Sequence, residues 1–545
     1  MRAWLIPLVM LACLVAATNA RAEGNWRILR TEWTEADEKG FGAFVTAIAE
    51  SGCSTTKDCM RGAANPYRNT DPQSLDFDAD CAKWVYMLRA YYSSKNGLPF
   101  GYVSDIAGRG NDFRFNGSPN RVVSRQDLVD RGGGLAVPEI LAEIHDRVSS
   151  ATYRTDASQS GPVVSDFYSP KIQAGSIRSG TVIYDINGHV GIVYAVESDG
   201  RVRYVGAAPD KTVTRSVYGA QFGQSQAALG GGFKNFRPIK LVGASLRNGA
   251  YVGGHLVVSA NDDIADFSLE QYRGNGPEAN GDGPDAIFQY QGAPVGLFEY
   301  VRGSLSGGTY RFDPVYELQA GMDMLCHSFQ ERGKYVDGAI QAGIDKKSEP
   351  ALLTGNIYAS DNEEWEAYAT PSRDASLKNS FAQLYVDIMK FVFRARAQDP
   401  SPVREAVLRS DLLKAYDEKA HTCTVTYTNS ANQPLTIGFD DAVHRLFTMS
   451  FDPYHCIERR WGATSEQELS TCGDDETKTR WYNAEQRLRN QAERIYGSRA
   501  HFTLGELEQG VPGSGARKAP PSDISQLIGN IGRGQIMAAM EPVGY

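Results

Sequence analysis

The chain has 545 residues, 22% of them charged and 42% hydrophobic, with a formal charge of −9. That length exceeds what one hydrophobic core normally organises and implies two to four domains. The acidic balance argues against nonspecific nucleic-acid binding, and past the first residues no stretch approaches a membrane-spanning length.

In chain order, Arg2 supplies a positive start, Trp4 to Val15 an apolar run, and Ala20-Arg21-Ala22 a small-x-small cleavage site. The expectation is a secretory signal peptide over 1–22 and an exported chain, periplasmic or extracellular, without an integral membrane segment. Exported chains normally pair their cysteines. With Cys13 removed, Cys53, Cys59, Cys81, Cys326, Cys423, Cys456 and Cys472 remain, an odd set. Cys53 and Cys59 are close enough in a polar loop to bridge, the last four are expected to form two more bridges, and Cys81 is the remainder.

Phe41 to Ile48 reads as a short helix. Residues 66–92 begin in turn-rich sequence and become a helix with Cys81 in its first turn. Trp84, Val85, Leu88, Tyr91 and Tyr92 recur at helical spacing on one face, and Asp78 and Asp80 supply starting acceptors. Free N–H groups and the positive helix end favour a thiolate there. Residues 121–130 and 136–148 also read as helices, with His145 on the surface of the second. From Ile177 the pattern changes to three strands in an antiparallel meander, with Asn187-Gly188 and Asp199-Gly200 as the turns. Residues 241–310 keep strand character, as a small β-rich module or an extension of the preceding domain. Residues 311–545 are mainly helical and disulfide-containing. Within them the compact motif DPYHCIERRWG (452–462) places Cys456 in reach of Cys472 rather than offering a complete metal site.

Thiol hydrolysis needs a base near the sulfur, a group to orient that base, and donors where charge develops on the carbonyl. Of eight histidines, His189 has the best context, opening a strand directly after a tight turn. A cysteine at a helix start and a histidine on a later strand is the arrangement of papain-like hydrolases. Asp80-Cys81-Ala82-Lys83-Trp84-Val85 resembles the nucleophile motif of the NlpC-like cell-wall peptidases, usually Asp-Cys-Ser-Gly-aromatic or aliphatic-Val. Pro66-Tyr67 resembles that family's Pro-Tyr, and Gly180 to Tyr184 followed by Gly188-His189-Val190-Gly191-Ile192 resembles its strand-turn-strand around the histidine. The related CHAP amidases are the second match. The likeness covers roughly residues 60–210. It departs at Ala82-Lys83, at Arg68-Asn69-Thr70 and at Thr181, where the family has Ser-Gly, Trp-Gly-Gly and Asp.

The resemblance implies an α+β fold: a papain-like core over 23–240, a helix on an antiparallel sheet, then the β-rich segment and the helical domain. It implies Cys81 as nucleophile, His189 as base and Tyr67 at the oxyanion site. Asp210 is the nearest acid for the orienting role. Neither metal nor organic cofactor is required. The substrate implied is an amide of a peptidoglycan stem peptide. The alternatives are another exported amide, or a non-catalytic binding or scaffold protein with a degenerate core. The helical C-terminal region could hold a protein partner.

Overall fold

The computed structural model describes residues 24–108, 117–159, 164–186, 188–208, 211–219, 222–276, 281–353, 357, 363–398, 401–491 and 502–531. The expected signal peptide and Asp210 lie outside the described residues. Among the described residues, no helix is long and apolar enough to cross a membrane. The architecture is mixed α+β, with a β-rich middle region and a mainly helical C-terminal region.

Helix α1 (Glu35–Glu50) starts at a capping box: Thr34 accepts from the Asp37 N–H and the Asp37 carboxylate accepts from the Thr34 N–H at 2.9 Å. Its apolar face (Phe41, Phe44, Val45, Ile48) is buried against α2 (Cys81–Asn96). Helix α2 departs from the one-faced pattern expected of it: Ala82 and every residue from Trp84 to Ser94 are buried, so it is the axis of the core. The one charged residue in this buried stretch is matched. Arg89 donates to both Glu38 carboxylate oxygens (2.9 and 2.6 Å) and stacks 3.3 Å over Trp33.

After α2 comes a hairpin of β1 (Phe100–Ala107) and β2 (Arg121–Leu128). The second strand replaces the helix expected at 121–130. Ladder bonds to β1, running from Phe100 opposite Leu128 to Ala107 opposite Arg121, outweigh a local pattern that fits either state. Helix α3 (Val137–Arg147) follows as expected and carries His145, whose side chain is 43% exposed on its surface.

The main sheet has six strands, all paired antiparallel: β3 (Phe167–Tyr168), β4 (Val182–Tyr184), β5 (Val190–Val196), β6 (Val202–Ala207), β7 (Val213–Val217) and β8 (Gly232–Phe236), in the order β3-β8-β4-β5-β6-β7. The expected meander is its β4-β5-β6 centre. Gly188 has φ +89°, a left-handed conformation that glycine adopts without steric cost. It sits in a turn closed by the Asp185 N–H donating to the His189 carbonyl at 2.8 Å. Val190, Ile192 and Val205 face the core around α2, whereas Ile183, Val193 and Tyr204 face a second core with α4 (Leu297–Leu305). The stretch 241–310 thus supplies the helix that covers the far side of this sheet.

The C-terminal region packs α5 (Pro314–Gln341), α6 (Pro371–Gln398) and α7 (Pro402–Thr422) with the hairpin of β9 (Thr424–Thr428) and β10 (Pro434–Gly438). Arg332 on α5, fully buried, pairs with Asp374 on α6 (2.7 Å). It also donates to the Ser450 and Arg460 carbonyls (both 2.9 Å), pinning the 452–462 motif to the bundle. Disulfides join Cys53–Cys59, Cys326–Cys423 and Cys456–Cys472, and Cys81 is the free cysteine of the described residues.

Candidate functional site

Cys81 is the first residue of α2, as its sequence context requires. Asp80 is the N-cap, and its carboxylate accepts from the Ala82 and Lys83 N–H groups, both at 3.1 Å. The donors expected to stabilise a thiolate are therefore shared with a side chain that is itself negative. Burial is the largest influence on the thiol and the Asp80 charge the next; together they push its pKa up to about 12. Backbone N–H groups of Val190 and Ala82, and the Arg373 charge from α6, act in the opposite direction. Lys83 is turned to Asp80 (3.1 Å). In this state the sulfur is a protonated thiol at neutral pH, contrary to the thiolate expected from its place on the helix.

The sulfur meets the start of β5. Its thiol donates to the Gly188 carbonyl at 3.8 Å and it receives the Val190 N–H, so it touches the peptide groups on both sides of His189. The imidazole itself leans to the other face of the sheet. Its centroid is 6.4 Å from both the Tyr204 and Phe222 rings, which belong to the core under α4. Its Cε1–Nε2 edge lies over Gly206, where an added Cβ would stand 3.3 Å from both atoms. The partners of the Cys81 sulfur are thus main-chain groups, with the ring beyond them. The β6 residue beneath that edge is a glycine, and Tyr204 of the same strand presents its ring edge to the imidazole. Gly206→Ala is expected to push the imidazole off this face. The His189 Cε1–H resonance should shift, and the tighter packing should cost about 1–3 kcal/mol of stability, read by chemical denaturation. An unchanged resonance contradicts the placement.

Tyr67 is not brought to the sulfur. Its hydroxyl bonds the Asn96 side-chain amide (3.1 Å) and its ring packs on Phe44, Tyr91 and Tyr92. Asn96 is the last residue of α2 and Cys81 the first, about 22 Å apart along the axis at 1.5 Å per residue. The hydroxyl that does reach the first turn belongs to Tyr153, which donates to the Ala82 carbonyl at 2.7 Å and stacks on Tyr184. Thr181, at the position of the family's aspartate, is buried and donates to Asn235 at 2.8 Å.

Sequence reasoning also missed the contribution from the distant helices. The Thr212 hydroxyl, one residue before β7, donates to the Tyr335 hydroxyl of α5 at 2.6 Å, and Arg373 of α6 lies 3.1 Å over the Tyr335 ring. Thr212 is bonded to Ala208 just past β6, so this contact closes the end of the sheet that carries His189. No local signal in residues 311–398 announces it. No protein-family model, no curated protein and no solved structure matches this chain.

Proposed function

We propose that the chain is an exported cysteine hydrolase with a papain-like core, acting on amide bonds of peptidoglycan stem peptides and seen here in a resting state. One observation carries this reading: the free cysteine of the described residues begins a buried helix, and its sulfur contacts the peptide groups flanking His189, which joins the Gly188 turn to β5. In the working state the His189 ring turns about its own side-chain bonds toward the α2 terminus and takes the thiol proton. The Cys81 thiolate then attacks the amide carbonyl, the amine leaves with the proton from the imidazolium, and water releases the thioacyl group. The Cys81 backbone N–H is a donor for the developing oxyanion; Tyr67 is not.

The resting geometry favours a second reading, a secreted binding protein that keeps a degenerate hydrolase core, because the thiol is protonated and the ring is turned to Gly206. Purified peptidoglycan separates the two. The intact protein should release soluble muropeptides of defined mass, and Cys81→Ala and His189→Ala should each release none while remaining folded. Equal release by Cys81→Ala ends the hydrolase assignment, and no release by the intact protein leaves the binding reading.

A further inference from the structure

A cavity of about 560 Å³ lies between the sheet and the C-terminal helices, outside the Cys81 region. It lies at the opposite end of β6 and β7 from the His189 turn, against residues 200–203 and 215–219, and α4, α5 and α6 form its other walls. Its size is that of a small-molecule site. Its lining mixes charged side chains with aromatic rings, among them Tyr218 and Phe298, 5.4 Å apart, and Phe312 and Phe391, 5.2 Å apart.

The charges around it are nearly all spoken for. Arg394 grips Glu299 through both guanidinium arms (2.7 and 2.5 Å) and Arg302 grips Glu317 (2.7 and 2.6 Å). Lys390 pairs with Asp387, and Arg201 and Arg203 pair with Glu197. Arg215 of β7 is the exception among the described residues. It donates to the Ala49 carbonyl and to the Cys53 sulfur (3.2 Å), and no carboxylate of those residues stands within ion-pair distance. A half-buried guanidinium at the wall of a cavity that also carries these rings is a complement for one negative charge on an apolar body.

We propose that this cavity binds a small organic anion, an aromatic or aliphatic body bearing one carboxylate or sulfonate, with the anionic group on Arg215. Occupancy bridges the sheet and the helical region, independently of the chemistry at Cys81.

The matched probes are 8-anilinonaphthalene-1-sulfonate and N-phenyl-1-naphthylamine, which differ by the sulfonate alone. Titrated by fluorescence into the full chain, the sulfonate should saturate at one per chain and bind about tenfold tighter than the neutral amine, the effect of one hydrogen-bonded charge. Arg215→Gln should abolish that preference with the amine's affinity unchanged, and Arg215→Lys should retain most of it. Met324→Trp, which fills the cavity from α5, should weaken both probes. Absence of a saturable site, equal affinity for the two probes in the unmodified chain, or a preference that survives Arg215→Gln overturns the proposal. If Arg215→Gln does not fold, the probe ratio in the unmodified chain together with Met324→Trp decides the question.

Discussion

Iodoacetamide at pH 7.5 is expected to label Cys81 in the native protein about 50-fold more slowly than in the urea-unfolded chain. The rise in pKa from 9.0 to about 12 has burial as its main cause and Asp80 as its second. Such a rise lowers the thiolate population roughly 10³-fold, and greater basicity returns about 20-fold in intrinsic nucleophilicity, which leaves the difference stated. Asp80→Asn tests the electrostatic part. It keeps an oxygen for the Ala82 and Lys83 N–H groups and removes the charge, so the thiol pKa should fall. Native labelling should quicken accordingly, by about threefold if the pKa falls by about one, since the gain in thiolate outweighs the loss of basicity. Loss of the Lys83 pairing is a minor change, since that contact is partly solvated. Native labelling as fast as in the unfolded chain would mean that the sulfur is wet and ionised. For the proposed hydrolase the slow rate has a direct meaning: a substrate or a movement of the α5–α6 contact must first turn His189 and rehydrate the site.

The second large effect is a pH dependence of stability seated in the C-terminal region. Glu485, fully buried, and Glu349 converge on Asp452, and the carboxylate oxygens of both glutamates lack hydrogen-bond donors. Burial, followed by the Asp452 charge, raises both glutamates well above the usual carboxylate range. The folded state therefore keeps protons that the unfolded state releases above about pH 4.5. Their contribution is fully present below that pH and declines as pH rises, by up to about 1.4 kcal/mol per pH unit for each group.

His455 acts in the reverse sense. It is fully buried, with Nδ1 bonded to the Ser450 hydroxyl (2.7 Å) and Nε2 to the Lys478 carbonyl (3.1 Å), and burial lowers its pKa from 6.5 to about 3. Its contribution is complete above pH 6.5 and is lost as pH falls toward 3. Thermal melts should therefore show maximal stability at about pH 4.5, where the loss from two glutamates begins to exceed the gain from one histidine, with a decline that steepens above about pH 6.5. Glu349→Gln, which cannot ionise, should flatten the alkaline limb and raise the Tm at about pH 8.5 while changing little at about pH 5. A Tm independent of pH from about 6 to 8.5 would mean that the two glutamates hold no extra protons.

Some of this molecule is written in short segments. The odd cysteine set leaves Cys81 over once the other six pair, and they pair as Cys53–Cys59, Cys326–Cys423 and Cys456–Cys472. The turns at Asn187-Gly188 and Asp199-Gly200 announce the β4-β5-β6 hairpins, because a glycine with positive φ and flanking β-branched runs are local properties. Asp80 starts α2 for an equally local reason, a carboxylate that accepts the first N–H groups.

Other features were settled by what came from far along the chain. Residues 121–128 became a strand because β1 offered a ladder, and a pattern of one segment cannot register its partner. Tyr67 precedes Cys81 by only fourteen positions, yet it docks at the far end of α2 because Phe44, Tyr91 and Tyr92 form its pocket there. The charge state of the Cys81 sulfur, the face chosen by the His189 ring and the approach of Tyr335 and Arg373 belong to tertiary structure alone. Sequence determined which groups were present and how their own turns and helices began. Desolvation and side-chain direction depend on neighbours far away in the chain, and only packing placed those.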